Sequence, residues 1–106
     1  MDSPIAVVTT VATREQAQAL ARALVEQRLA ACVQISAIDS VYRWDGALQC
    51  EPEWRLWCKT TTQRWPAIEA AIREGHPYAL PQICAFALDL VHAPYAAWIR
   101  AECEDG

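Results

Sequence analysis

Few side chains in this 106-residue chain could carry chemistry, and they fall into four groups. His76 stands before a proline in "GHPYALP", and imidazole suits copper and other divalent metals. A hydrogen-bonded loop histidine is the plainer reading, since one imidazole without partners makes a weak metal site. Cys32 and Lys59 form the second group. An ammonium beside a thiol lowers its pKa and makes it a better nucleophile or metal ligand; the plainer reading is a cysteine packed on the lysine stem. Glu51 and Glu53, two residues apart, share one face if they lie on a strand. Paired carboxylates can work as acid and base, although a solvated or ion-paired strand face explains them more simply. Tyr42, Trp44, Trp57 and Trp98 are the fourth group. They could stack on a ligand, but Tyr and Trp are also enriched in the cores of subunit interfaces, which is the simpler expectation. No set of nucleophile, base and orienting group is visible, so the chain does not read as an enzyme.

The elements that must position these groups follow from the pattern along the chain. "IAVVTTV" (Ile5 to Val11) is a β-branched run short enough for a buried strand. Thr13 followed by Gln16 matches a capping box, and Ala17, Leu20, Ala21, Leu24 and Val25 give one apolar stripe, so a helix is expected from Arg14 to about Arg28. A hairpin follows, starting near Ala31, turning at Asp45-Gly46 and ending near Thr61. A second helix is expected from about Gln63 to Glu74, with Pro66 in its first turn and Arg73 and Gly75 marking its end. "HPYALP" is a stiff loop. "QICAFALDLV" is almost continuously apolar and reads as a central strand. His92 and Pro94 open a last helix carrying Tyr95, Trp98 and Ile99. The order β-α-β-β-α-β plus a C-terminal helix predicts an α+β, ferredoxin-like domain over residues 1–106. Its four-stranded antiparallel sheet has a long hairpin between the second and third strands. Both crossover helices should cover one face of the sheet, leaving the other open.

The hairpin carries Trp44, Trp54 and Trp57, three of the five tryptophans. A two-residue turn pairs Trp44 with Ala47, and alternation then sorts the side chains. One face collects Val33, Ile35, Ala37, Val41, Leu48, Trp54, Leu56 and Cys58 and should lie under the helices. The opposite face collects Cys32, Gln34, Ser36, Ile38, Ser40, Tyr42, Trp44, Glu51, Glu53, Arg55, Trp57 and Lys59. Pro52 could introduce a bulge that reverses this parity. An arm from Cys32 to Asp45 extends roughly 45 Å at about 3.3 Å per residue. It must overhang a domain whose radius of gyration is expected to be about 13 Å. An overhanging hairpin with bare edges and exposed tryptophans calls for a covering chain, so a closed oligomer is expected.

Bulk composition narrows the partners. The chain is 54% apolar and 21% charged, with a net charge of -4 and its nine basic residues scattered. Nucleic acid and anionic membrane surfaces are poor partners for such a chain. The start "MDSPIAVVTT" lacks the basic region of a signal peptide, and no stretch is apolar for long enough to span a bilayer, so a cytosolic protein is expected. Five cysteines, an odd number without C-x-x-C, form neither a disulfide framework nor a zinc knuckle and are expected as reduced, buried thiols.

"LAACVQI", "YRWDGALQCEPE", the closing "KT" of the second hairpin arm, "HPY" and "PYAAW" resemble the CutA family of divalent-cation tolerance proteins across essentially the whole chain. The resemblance implies a ferredoxin-like fold related to the PII signalling proteins, assembled as a homotrimer with Tyr42, Trp44, Glu51, Trp57 and Trp98 at the subunit interface. By analogy with PII relatives, it implies an inter-subunit cleft for a small molecule or metal, lined by Cys32, Tyr42, Lys59, His76, Tyr78 and Gln82. The family's copper ligands are a first-strand cysteine and a His-His pair before "PY". Here Thr9 and Gly75-His76 hold those positions, leaving His76, with Cys32 as a thiol partner, as the candidate ligands for copper or another divalent metal. The acid common after the second proline of the loop is Gln82 here. No cofactor is required on this reading.

Overall fold

The computed structural model describes residues 2–104; residues 1, 105 and 106, the ends of the expected domain, lie outside the described residues. β1 (Pro4–Val11) is the strand around which the sheet is built. Its side chains are buried on both faces from Ile5 onward, which is why the run is β-branched without alternation. Arg14–Glu26 forms α1, closed at its start by the expected capping box. Thr13 Oγ1 accepts from the Gln16 N–H at 3.1 Å, and Gln16 Oε1 accepts from the Thr13 N–H at 3.1 Å.

β2 (Cys32–Trp44) and β3 (Ala47–Thr61) make the long hairpin. Asp45 and Gly46 both take left-handed backbone angles, φ 53° and 77°, as a two-residue turn that matches the strand twist requires. Trp44 pairs with Ala47, and the ladder runs unbroken to Cys32 opposite Lys59. Pro52 pairs with Asp39 inside this ladder and makes no bulge. Counting in twos from the turn places that pair at a non-hydrogen-bonded site, so the missing N–H of Pro52 falls on the outer edge of β3. β1 does not reach that far, since its last pair is Val11 with Trp54.

After β3, a single 3-10 turn (Thr62–Arg64) leads into α2 (Trp65–Gly75). Gly75 has no left-handed angle. The helix stops because His76 precedes Pro77 and is held extended, at φ -82° and ψ 136°. β4 (Cys84–Ala87) and α3 (Ala93–Glu102) complete the chain. The sheet order is β2-β3-β1-β4, all antiparallel.

Two expectations need correction. The apolar run from Gln82 to Val91 is not a central strand. Only four of its residues pair, at an edge of the sheet, because the partner strand runs out: the last contact is Leu88 N–H to the Pro4 carbonyl, 3.2 Å. Ile83 packs against the core, but Phe86 and Leu90 are left uncovered within one chain, 51% and 97% exposed. The cysteines are also less uniform than expected. All five are free thiols, but only Cys58 and Cys103 are buried, and Cys50 is exposed.

α1 and α2 pack on one face of the sheet. Val7, Val11, Leu24, Leu56, Cys58, Ile68 and Ile72 form the core there, with Val33, Ile35 and Trp54 against it. α3 packs across the end of the sheet where β2 begins. Ile99 and Cys103 join Ala31 in a small cluster, and Cys103 Sγ lies 3.6 Å from Thr60 Oγ1. The opposite face carries neither α1 nor α2, as expected, although the β1 side chains on it, Ala6, Val8 and Thr10, are buried among their neighbours. The hairpin overhang is also as expected: the molecule is 44 Å long and only 26 and 21 Å across. Val41 and Leu48, assigned to the helix-covered face, lie beyond the helices and are 67% and 66% exposed.

These positions predict opposite behaviour for two leucines. Leu56→Ala should lower unfolding stability by about 2–5 kcal/mol, as truncations of fully buried leucines do. Leu48→Ala should leave the stability of a single chain nearly unchanged. Denaturant unfolding of both variants at one protein concentration is the check.

Candidate functional site

The loop after α2 is clamped onto the sheet by two side chains. His76 Nε2 lies 2.8 Å from the Thr10 carbonyl, and the Tyr78 N–H lies 3.0 Å from His76 Nδ1. A carbonyl can only accept and an amide N–H can only donate. The ring is therefore the neutral tautomer, protonated at Nε2. Both nitrogens are in use, and burial holds the imidazole below its ordinary pKa. Two residues on, the Tyr78 hydroxyl donates to Glu53 Oε2 at 2.8 Å. Burial, then the Glu53 carboxylate, push the phenol well above its usual range. The loop is thus tied to the end of β1 through His76 and to the middle of β3 through Tyr78.

Between this loop and the overhanging hairpin lies a groove of about 720 Å³. Tyr42, Trp44 and Tyr78 supply its aromatic walls, Glu51 and Glu53 its charge, and Gln82 lies at its margin. Its volume falls in the range of small-molecule sites. The hairpin register puts Tyr42, Trp44, Glu51 and Glu53 on one face, while the positions of Tyr78 and Gln82 come from the clamped loop. Desolvation, then Glu51 and Glu53, raise the pKa of Tyr42. Gln82 Nε2 donates to Cys84 Sγ at 3.8 Å.

The residues expected to line one cleft are divided by this geometry. Tyr42, Tyr78 and Gln82 line the groove, and His76 holds its loop wall in place. Cys32 and Lys59 do not join them within one chain. They pair with each other at the base of the hairpin, ten residues along β2 from Tyr42, roughly 33 Å at about 3.3 Å per residue. The ammonium of Lys59 is also not directed at the thiol. Its Nζ donates to Gln34 Oε1 at 3.2 Å and lies 5.8 Å from the centre of the Tyr95 ring. Cys32 and His76 therefore cannot share a metal ion within one chain, and the described residues hold no cluster of three or more His, Cys, Asp or Glu able to do so. Thr9, at the family's first-strand ligand position, is buried with its hydroxyl unpaired, whereas Gly75 is the last residue of α2.

The aromatics assigned to an interface lie on the open face or the overhang. Trp57 stacks on Phe86 at 5.5 Å and takes the Arg55 guanidinium at 5.8 Å. Trp98 stacks on Tyr95 at 5.7 Å, and Trp44, Tyr42 and Glu51 are exposed. Across the same face, the paired residues Ser36 and Arg55 each bury a polar atom, Oγ and Nε, without a hydrogen-bond partner. Thr10 and the inward turn of Glu53 were not foreseen as site features. The register carried half of that signal, since it put Glu53 on the face of Tyr42.

The chain is thus an α+β protein of ferredoxin-like fold, with an acidic, aromatic-walled groove between a long hairpin and a clamped loop. It belongs to the CutA1 divalent ion tolerance protein family, whose model matches residues 5–102. The divalent-cation tolerance protein CutA of Thermus thermophilus is 40% identical over 95 residues, 89% of this chain and 92% of the relative. The structure of CutA from Synechococcus elongatus superposes with a TM-score of 0.94 at 38% identity, covering 98% of this chain and 93% of the other. That of the periplasmic divalent cation tolerance protein CutA from Archaeoglobus fulgidus gives 0.93 at 28% identity, covering 95% and 99%. The family is named for tolerance of divalent ions and not for an enzyme activity, in keeping with the absence of a catalytic set in the sequence.

The His76 clamp has a pH signature. Its folded-state pKa lies below the ordinary 6.5, so the unfolded chain binds the extra proton first. The clamp's contribution to stability is complete above pH 6.5 and is lost as pH falls through the lower folded value. His76→Gln should flatten the fall in stability between about pH 7 and 5 relative to wild type. Denaturation midpoints measured across that range for both proteins give the comparison.

Proposed function

We propose that this chain acts as a homotrimeric, PII-like regulatory protein of the divalent-cation tolerance family, taking a small ligand in a groove that a neighbouring subunit closes. The observation that carries this reading is the overhang. Its groove has walls on only two sides, and Val41, Leu48 and Trp44 are exposed around it. A surface of this kind calls for a second chain. The unpaired Ser36 Oγ and Arg55 Nε on the open face, with the uncovered Phe86 and Leu90, support the same reading. Cys32 and Lys59, expected in the cleft, could reach it only from another copy. No helix among the described residues is long and apolar enough to cross a membrane, and we place the protein in the cytosol, where its five free thiols stay reduced, although the Archaeoglobus fulgidus relative is named as periplasmic.

Direct binding of copper or another divalent metal through His76 and a thiol is the second reading, favoured by the family's name. It has less support, because coordination by His76 would break one of two hydrogen bonds that hold the loop.

Native mass spectrometry of untagged protein, purified without chelator or added metal, tests both. Three chains of 11.8 kDa, about 35 kDa, are expected. Trp44→Ala should weaken that assembly by about tenfold or more, as truncation of an interface aromatic does. A single-chain mass for wild type would reject the trimer. Copper retained by wild type and lost in His76→Ala would favour the second reading.

A further inference from the structure

The groove has a charge that its own chain does not balance. Glu53 is only 9% exposed, yet no lysine, arginine or histidine lines the groove with it. A carboxylate with so little exposure is a favourable place for a cation or further hydrogen-bond donors. Tyr78 gives one hydrogen bond, to Oε2, and no other donor among the described residues reaches Oε1. Thr10, which also lines the groove, is 5% exposed, and its hydroxyl engages none of the described residues. Glu53 Oε1 and the Thr10 hydroxyl are thus open to the groove, with capacity to accept hydrogen bonds from what enters it. Glu51 adds a second negative charge at the mouth, and Tyr42, Trp44 and Tyr78 present π faces, which attract cations.

We propose that the groove binds a small organic ammonium ion, its N–H groups donating to Glu53 Oε1 and the Thr10 hydroxyl and its apolar body lying among Tyr42, Trp44 and Tyr78. This rests on the reading of the groove as a ligand site and gives that site its chemistry. Hydrogen bonds between an ammonium and a carboxylate are among the stronger ones, and the low polarity of the site adds to them. An anion would meet two carboxylates and no basic side chain. A bare divalent ion would find only Glu51 and Glu53 as charged ligands, alternate residues on one extended strand, without the further carboxylates or imidazoles such ions take. Lys59, expected to line the inter-subunit cleft, does not reach the groove within one chain.

The test uses three probes of one shape and different charge: benzylammonium, benzyl alcohol and benzoate, titrated into the untagged protein by calorimetry. The same samples are followed by native mass spectrometry. Benzylammonium should bind at least tenfold more tightly than either analogue. Glu53→Gln, which keeps an acceptor for Tyr78, should remove that preference while the oligomer mass stays unchanged. Equal binding of the alcohol, preference for benzoate, or no binding of benzylammonium would overturn the proposal; a persisting trimer would then leave the assembly reading intact. Benzylammonium binding that Glu53→Gln does not weaken would overturn it too. So would Cu²⁺ displacing benzylammonium in a Glu53-dependent way, which would assign the groove to metal. Dissociation of Glu53→Gln into single chains would show that the counter-charge is a basic side chain of a second copy.

Discussion

The Asp45-Gly46 turn fixes more of this molecule than any other contact. Two consecutive left-handed residues allow a loop of only two residues, and such a loop permits one closing pair, Trp44 with Ala47. Every later pair in the hairpin follows from that one. A slip of β3 by one residue would move Glu51 and Glu53 to the side covered by α1 and α2 and turn Leu56 and Cys58 outward. It would place carboxylates in the core and core residues in water. The groove, the open face and the apolar overhang are all consequences of a register set at the tip.

That is why so much of the hairpin was legible in the sequence. Alternation of period two, read outward from Asp-Gly, needs no tertiary information. The capping box of Thr13 and Gln16 is equally local, and both are present as read. The edge position of β4 was not legible. "QICAFALDLV" has the composition of a buried strand, but its pairing depends on where β1 begins, and Pro4 ends it early. The site was legible by halves. Tyr42 and Glu53 were placed on one face by register, whereas the loop wall was not, because no periodicity records that His76 reaches Thr10 or Tyr78 reaches Glu53. Cys32 and Lys59 lie ten residues along β2 from Tyr42, so a cleft holding all three needs more than one copy of the chain.

The loop and the hairpin also divide the labour of the site. His76 contributes no free nitrogen to a ligand; its value is geometric, holding the backbone of Tyr78 so that the phenol meets Glu53. Histidine serves here because one neutral ring can donate and accept on opposite sides, which neither lysine nor arginine can do. Thr9, where the resemblance implies a thiolate ligand, is buried with its hydroxyl unpaired among the described residues, and a hydroxyl is a poor replacement for a thiolate.

Pro52 adds a property that concerns unwanted association. A strand that projects past its neighbours offers a row of free N–H and C=O groups, and any extended peptide can dock on such a row. The outer edge of β3 beyond Trp54 is a row of this kind. Pro52 deletes a donor from it, and its ring occupies the space an incoming backbone would need. The β3 edge of the hairpin can thus project past β1 without serving as a template for fibril-like stacking, because the cost of the missing hydrogen bond falls on the intruding strand and none of it on the hairpin's own ladder.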